Sequence, residues 1–289
     1  MRRVLAVAAL ALAVPAAGAG GGRAGGGLSA GSDGYREARA WASFDLPDST
    51  YLTPRAALYR SDFLNGTEEV LGLRGGWQPG PWSVGADASL QPRVDGYERS
   101  SFGLDASLSV PLDDARRGLS LAAGGGATFT RHSDLYYAAS GPGRGRARGA
   151  ARGEEFAVRE TDLFVFGSLR GRAGALTLRL GESLYDRDLA AADARRELAP
   201  PGSGFGAAVF GFPRTVVAVR ARAEATANLE PFVSCERTTF ELGDPAALSL
   251  KGGATLYRGR AALTGSFELY RQSGYADRRY VALGASLGF

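Results

Sequence analysis

Arg278-Arg279-Tyr280-Val281-Ala282-Leu283-Gly284-Ala285-Ser286-Leu287-Gly288-Phe289 is the stretch whose reading decides the fold. Val281, Leu283, Ala285, Leu287 and Phe289 share one parity, and Tyr280, Ala282, Gly284, Ser286 and Gly288 share the other. Successive side chains of a strand point to opposite faces, so one face is apolar and the other small or polar. A sheet that crosses a bilayer must close on itself and must show hydrocarbon a continuous apolar band. The pattern therefore predicts a strand with lipid on one side and a lumen on the other.

Gly284, Leu287 and Phe289 also match the spacing of the C-terminal signal of bacterial outer-membrane β-barrels, with Ala282 standing where that signal opens on a polar residue. The chain thus resembles the outer-membrane β-barrel class as a whole. The resemblance implies a closed antiparallel barrel in the bacterial outer membrane, inserted by the barrel assembly machinery and surrounded by outer-membrane lipid and lipopolysaccharide. It names no cargo.

At the other end, Met1-Arg2-Arg3 precedes an apolar run from Val4 to Val14 that is too short to span a bilayer, followed by small residues at Ala17 and Ala19. This predicts a cleaved signal peptide over 1–19. The glycine-rich stretch Gly20 to Gly34 is expected to be flexible, and residues 35–45, which alternate weakly, are a strand or an extended tail; both are grouped in a leader over 20–50, with the barrel expected over 51–289.

No later run of about 18 apolar residues exists, which excludes a helical membrane protein. A barrel interleaves apolar and polar residues, so the mean hydropathy of -0.12 is compatible with membrane residence. The sole cysteine, Cys235, has no partner for an internal disulfide, and the sole histidine, His132, excludes a two-histidine metal site. No metal or cofactor is expected. The pI near 9.4 rests on scattered arginines rather than on cations interleaved with stacking aromatics, so no nucleic acid is expected as a partner.

Alternation is clearest in Val70 to Trp77 and Trp82 to Gln91, which flank the turn Gln78-Pro79-Gly80-Pro81 and set Trp77 and Trp82 at one height for an aromatic girdle. Pro54 in the stretch Tyr51 to Ser61 lacks a donor and is expected near a strand end or a bulge. Further strands are expected over 97–110, 119–130, 156–169, 175–185, 205–212, 215–228, 247–257, 261–271 and 278–289, with long loops at 131–155, 186–204 and 229–246. Tight connections near Pro79, Asp113, Gly171, Pro213 and Gly259 all fall on one side. The count is twelve strands; a further strand near Phe232 to Phe240 is the route to fourteen.

The same parity points Arg74, Asp87, Asp105, Arg179, Arg220, Arg222, Glu224, Lys251 and Glu268 inward. Charges so placed must pair or meet water. They either brace the wall as ion pairs or line a narrow aqueous path that screens solutes by charge. Arg220 and Arg222, two apart on one strand, form a short cationic ladder with Glu224 as the neutraliser in the same row.

The function expected is a passive, porin-like pore for small polar solutes, with Arg220, Arg222, Lys251 and Glu224 governing selectivity. The alternative is a closed structural barrel that uses its outer loops to bind a partner. A lipid hydrolase stands third. His132-Ser133-Asp134 supplies the residue types for nucleophilic catalysis, but adjacent residues on an extended chain face opposite ways, so no enzyme is expected. The arginines of Gly141 to Gly149 are expected in a solvated outer loop, without the GK[ST] of a phosphate loop.

Overall fold

The computed structural model describes residues 21–62, 67–94, 97–112, 118–136, 154–186, 212–241 and 243–289. The region 1–19 expected as a signal peptide, the run Gly141 to Gly149 expected in an outer loop and most of the strand expected over 205–212 lie outside the described residues.

The described chain forms fourteen antiparallel strands: β1 (Gly22–Gly31), β2 (Arg36–Leu46), β3 (Thr50–Arg60), β4 (Glu68–Trp77), β5 (Trp82–Val94), β6 (Tyr97–Pro111), β7 (Ser120–Tyr136), β8 (Glu154–Gly171), β9 (Gly174–Tyr185), β10 (Pro213–Ala223), β11 (Leu229–Phe240), β12 (Ala247–Arg258), β13 (Ala261–Gln272) and β14 (Arg278–Gly288). Each pairs with the next, and β1 pairs with β14 to close the barrel. At that seam the Gly22 amide donates to the Phe289 carbonyl at 3.2 Å, and the Phe289 amide donates to the Gly22 carbonyl at 3.0 Å.

Fourteen strands correct the expected twelve, and the reasons are local. Residues 22–46, expected as a leader, are β1 and β2. β1 carries glycine where other strands carry side chains, but its backbone ladder is complete from Arg23↔Gly288 to Gly31↔Tyr280. Residues 229–240, expected as a loop, are β11, as the fourteen-strand alternative required. Pro213-Arg214 is not a turn. It opens β10, and the tight turn of that region is 224–228.

Short connections at 47–49, 78–81, 172–173, 224–228 and 259–260 gather at one end, hereafter the turn end; β7 ends and β8 begins at the other, as do β9 and β10, and this is the loop end. The backbone at Asp48 and Ser49 is left-handed, at φ 58 and 57, as a tight hairpin turn requires. Gly80 and Gly259 meet the same requirement in their turns, at φ 61 and 60.

Pro54 sits within β3, and its missing N–H leaves a gap in the ladder. The β2–β3 pairing skips from Trp41↔Arg55 to Phe44↔Leu52, and there the Thr53 hydroxyl donates to the Ser43 hydroxyl at 2.8 Å instead.

The register fixes which way each side chain points. Leu71↔Leu90, Leu104↔Ala127, Val165↔Leu180, Leu256↔Leu263 and Leu28↔Leu283 all fall on the exterior parity. Leucine, valine and phenylalanine on that parity are half exposed around the barrel: Phe102 at 47%, Leu178 at 45% and Leu283 at 61%. A water-soluble chain would bury such a band, and a bilayer covers it. Trp77 and Trp82 flank the turn at 78–81 on this outer surface, where an interfacial girdle sits. In 156–169, whose facing is ambiguous in sequence, Leu163, Val165 and Leu169 point out, while Phe164 and Phe166 point in.

Candidate functional site: the charged lumen

The inner parity carries the charges. Arg74, Asp87, Asp105, Arg179, Arg220, Arg222, Lys251 and Glu268 all lie on it, as expected. Glu224 lies past the end of β10, its amide donating to the Ala173 carbonyl at 3.0 Å, so it does not continue the Arg220–Arg222 row.

One wall closes its charges on itself. Arg74 reaches from β4 to both carboxylate oxygens of Asp105 on β6, at 2.8 and 3.1 Å, and its Nε donates to the Tyr51 hydroxyl at 3.3 Å. Beside it, Arg55 on β3 pairs with Asp87 on β5 at 2.8 Å. These two cations and two carboxylates neutralise one another across four strands. Near the loop end of the same wall, the Gln91 side-chain amide donates to Glu68 at 2.7 Å, both side chains being buried.

The wall across the lumen is arranged differently. Arg222 has a carboxylate partner, but it is Glu230 on β11 at 3.7 Å, a residue on the strand that sequence reading left as a loop. Lys251 lies 3.7 Å from Glu268, whose other oxygen accepts from the Ser249 hydroxyl at 2.8 Å. Arg179 and Arg220 have no described carboxylate within ion-pairing distance. Each lies instead against an aromatic ring.

The Arg179 guanidinium sits over the Phe164 ring at 4.3 Å, and that of Arg220 over the Phe232 ring at 5.3 Å. Glycine explains why those rings lie against the wall. A Cβ on Gly126 would stand 2.8 Å from Phe164 Cζ, and one on Gly253 would stand 2.7 Å from Phe232 Cζ. Each stack is therefore a glycine notch, a ring in the notch and a guanidinium over the ring. Ring faces attract cations, and the contact holds the guanidinium without consuming its charge.

β10 brings the two stacks together, since Ala218 pairs with Arg179 and Arg220 pairs with Thr177. The arginines are diagonal neighbours on one face, about 7–8 Å apart at the backbone. Glu236 is across Ala218 from Arg179, two strand spacings or about 10 Å away. These residues, with Arg39, Glu37, Lys251 and Glu268, line a cavity of about 550 Å³ inside the barrel. That volume suits a small solute.

Toward the loop end the lumen wall is aromatic. Tyr35, Tyr59, Phe240, Tyr270 and Tyr280 form a buried cluster, with the Tyr35 and Tyr280 rings edge to face at 5.5 Å.

His132 belongs to a separate buried network on β7, β8 and β9. It contacts Glu160 at 2.7 Å, and the Tyr185 hydroxyl donates to the other Glu160 oxygen at 2.9 Å. Ser183 donates to Asp162 at 2.5 Å, and the Phe212 ring meets those of both His132 and Tyr185 edge to face. Ser133 takes the opposite parity from His132, so the two do not meet, as the extended backbone requires; the side chain of Asp134 lies outside what is described. The network's serine bonds a carboxylate rather than the histidine. The geometry is that of a satisfied structural cluster beneath the loop end.

Among the expected insertion residues, Leu287 and Phe289 point outward and Gly284 inward, and the Phe289 ring packs 6.1 Å from that of Phe44 on β2.

No known family model matches the sequence, and no curated protein matches it. Solved structures do. The chain is similar to the CymD monoaromatic hydrocarbon channel at a TM-score of 0.52 and 10% identity, over 93% of this chain and 88% of that one. It is similar to CdiB from Acinetobacter baumannii at 0.46 and 11%, over 93% of this chain but only 60% of that longer one. With OmpT of Vibrio cholerae the values are 0.46 and 9%, over 93% and 96%. At these identities the likeness is one of fold: this chain has the closed antiparallel architecture of the bacterial outer-membrane β-barrels.

Proposed function

We propose that the protein is a passive channel of the bacterial outer membrane for small polar solutes, and that it favours anions. One observation carries the anion preference. Arg179 and Arg220 stand in the lumen cavity without carboxylate partners among the described residues, held by Phe164 and Phe232, while the facing wall has closed its charges into the Arg55–Asp87 and Arg74–Asp105 pairs. An anion entering the cavity meets two oriented cations whose field is not cancelled at contact. Of the ladder residues expected to govern selectivity, Arg220 keeps that role and Arg179 joins it. Arg222 and Lys251 act through the pairs they form with Glu230 and Glu268.

The test is single-channel conductance of the refolded protein in a planar bilayer, with reversal potentials in a salt gradient for the native chain and for the Arg179→Gln, Arg220→Gln variant. Anion preference that falls in the variant supports the reading. A folded barrel that carries no current defeats it and favours a closed scaffold, a reading to which the buried tyrosine cluster at the loop end lends some support.

A further inference from the structure

Arginine is distributed unevenly on the outer surface. At the turn end, Arg258 alone among the described strand arginines takes the exterior parity. At the loop end, Arg131 on β7 and Arg159 on β8 are exposed cross-strand partners on the exterior parity, away from the rest. The other exterior loop-end arginines are Arg237 on β11, Arg271 on β13, Arg279 on β14, Arg36 on β2 and Arg60 on β3, all of them exposed. These strands are consecutive around the barrel apart from β12 and β1, which contribute Leu248 and Ala30 at that height. The arc therefore spans six strand spacings, roughly 30 Å.

Its charge is largely uncompensated. Arg271 pairs with Asp277 at 3.0 Å. Among the described residues, no carboxylate comes within ion-pairing distance of Arg36, Arg60, Arg237 or Arg279. Of the described exterior carboxylates, Glu98 and Glu182 stand on β6 and β9, outside the arc, and Glu69 on β4 borders it, diagonal to Arg60 across the β3–β4 ladder.

Arg36 and Arg60 are direct cross-strand partners. Like charges facing each other across a ladder destabilise it unless an anion lies between them. Directly below, toward the turn end, the same strands expose Leu28, Val281, Leu283 and Phe267. A cationic arc thus sits at one edge of an apolar band, on one end of the barrel only.

We propose that this arc is a docking site for a phosphorylated glycolipid of the outer leaflet, of the lipopolysaccharide kind. Its clustered phosphates lie on Arg36, Arg60, Arg237 and Arg279, and its acyl chains lie along Leu28, Val281, Leu283 and Phe267. Guanidinium groups bind phosphate bidentately, and paired arginines place two such forks side by side. The proposal rests on the outer-membrane location and is independent of whether the lumen conducts.

The test is native mass spectrometry of the refolded full chain in detergent, titrated with a bisphosphorylated lipid A and with its dephosphorylated form. Retention of the heat-modifiable gel mobility serves as the check on folding. The expected result is binding of the phosphorylated lipid that weakens about tenfold in Arg36→Gln, Arg60→Gln and is unchanged in Arg258→Gln. A second arm adds excess inorganic phosphate, which is expected to leave the lipid bound. Equal binding of the dephosphorylated lipid, or undiminished binding in the folded double variant, overturns the proposal. Displacement of the lipid by inorganic phosphate alone reassigns the arc to a free anion and overturns it as well. Because binding is read without any current, a silent barrel that still takes up the lipid defeats the channel reading and leaves this one standing.

Discussion

The guanidinium carbon of Arg179 lies 4.3 Å from the centroid of the Phe164 ring, with Arg179 on β9 and Phe164 on β8. The contact orients a lumen cation while leaving its charge available to solvent. A unit charge about 7 Å away in a water-like lumen lowers the energy of a permeating anion by about 0.6 kcal/mol and raises that of a cation by as much. Arg179→Gln should therefore lower the anion-to-cation permeability ratio about sevenfold at low salt, and less as salt screens the charge, read as a shift in reversal potential across a salt gradient. An unchanged potential would remove Arg179 from the selectivity mechanism.

The ring and its notch make a separate prediction. A Cβ on Gly126 would strike the Leu104 carbonyl of β6 as well as the Phe164 ring, so Gly126→Val should destabilise the β6–β7 ladder and is not a clean probe of the ring. Phe164→Leu keeps the wall clear but releases the guanidinium, so anion selectivity should weaken with conductance retained. Unchanged selectivity in Phe164→Leu would leave the stack no directing role.

Arg74 bridges β4 and β6 as the centre of the self-neutralised wall. Arg74→Ala should lower stability by about 1 kcal/mol, because the pair is partly exposed to lumen water and Tyr51 loses its donor along with Asp105. A denaturant series in detergent on Arg74→Ala, Asp105→Asn and the double variant checks this. Additive effects would show that the 2.8 Å contact contributes no coupling.

The His132 network calls for a stability readout. His132→Ala leaves a buried Glu160 oxygen without its 2.7 Å partner while Tyr185 still donates to the other, and the cost should be about 1–3 kcal/mol. Thermal unfolding followed by gel mobility measures it, and channel selectivity should be unaffected. A hydrolytic activity lost in His132→Ala but kept in an equally destabilised control would reverse the structural assignment.

Much of this architecture was legible in the residues, and the exceptions share a cause. Parity placed Arg74, Asp87, Asp105, Arg179, Arg220, Arg222, Lys251 and Glu268 inside because their strands alternate leucine, valine and alanine with polar residues. β1 could not be read that way. Gly22, Gly25, Gly26, Gly27 and Gly31 offer no side-chain pattern, and the strand exists because β14 and β2 present backbone on both sides. β11 breaks the pattern in another manner: its exterior parity includes Cys235 and Arg237, and Pro231 interrupts its start. Glu230, the partner of Arg222, lies on β11, and with that strand hidden the sequence offers only Glu224 as its neutraliser. The two ring-supported arginines were individually visible, but their rings were not, since Phe164 had ambiguous facing and Phe232 lay in a presumed loop.

The seam between β1 and β14 bears on how the barrel comes together. Every other pairing joins strands consecutive along the chain, so each closes over a far shorter length of chain than the seam does. The seam alone joins residues as far apart as Arg23 and Gly288. Nearly all of the long-range loop-closure entropy is concentrated in that one event, on the order of 5 kcal/mol by polymer scaling. Until it occurs, the growing sheet has two raw edges with unanswered amides and carbonyls facing hydrocarbon. Shutting is therefore a single late kinetic step, and weakening the seam should slow assembly far more than weakening any hairpin of equal strength.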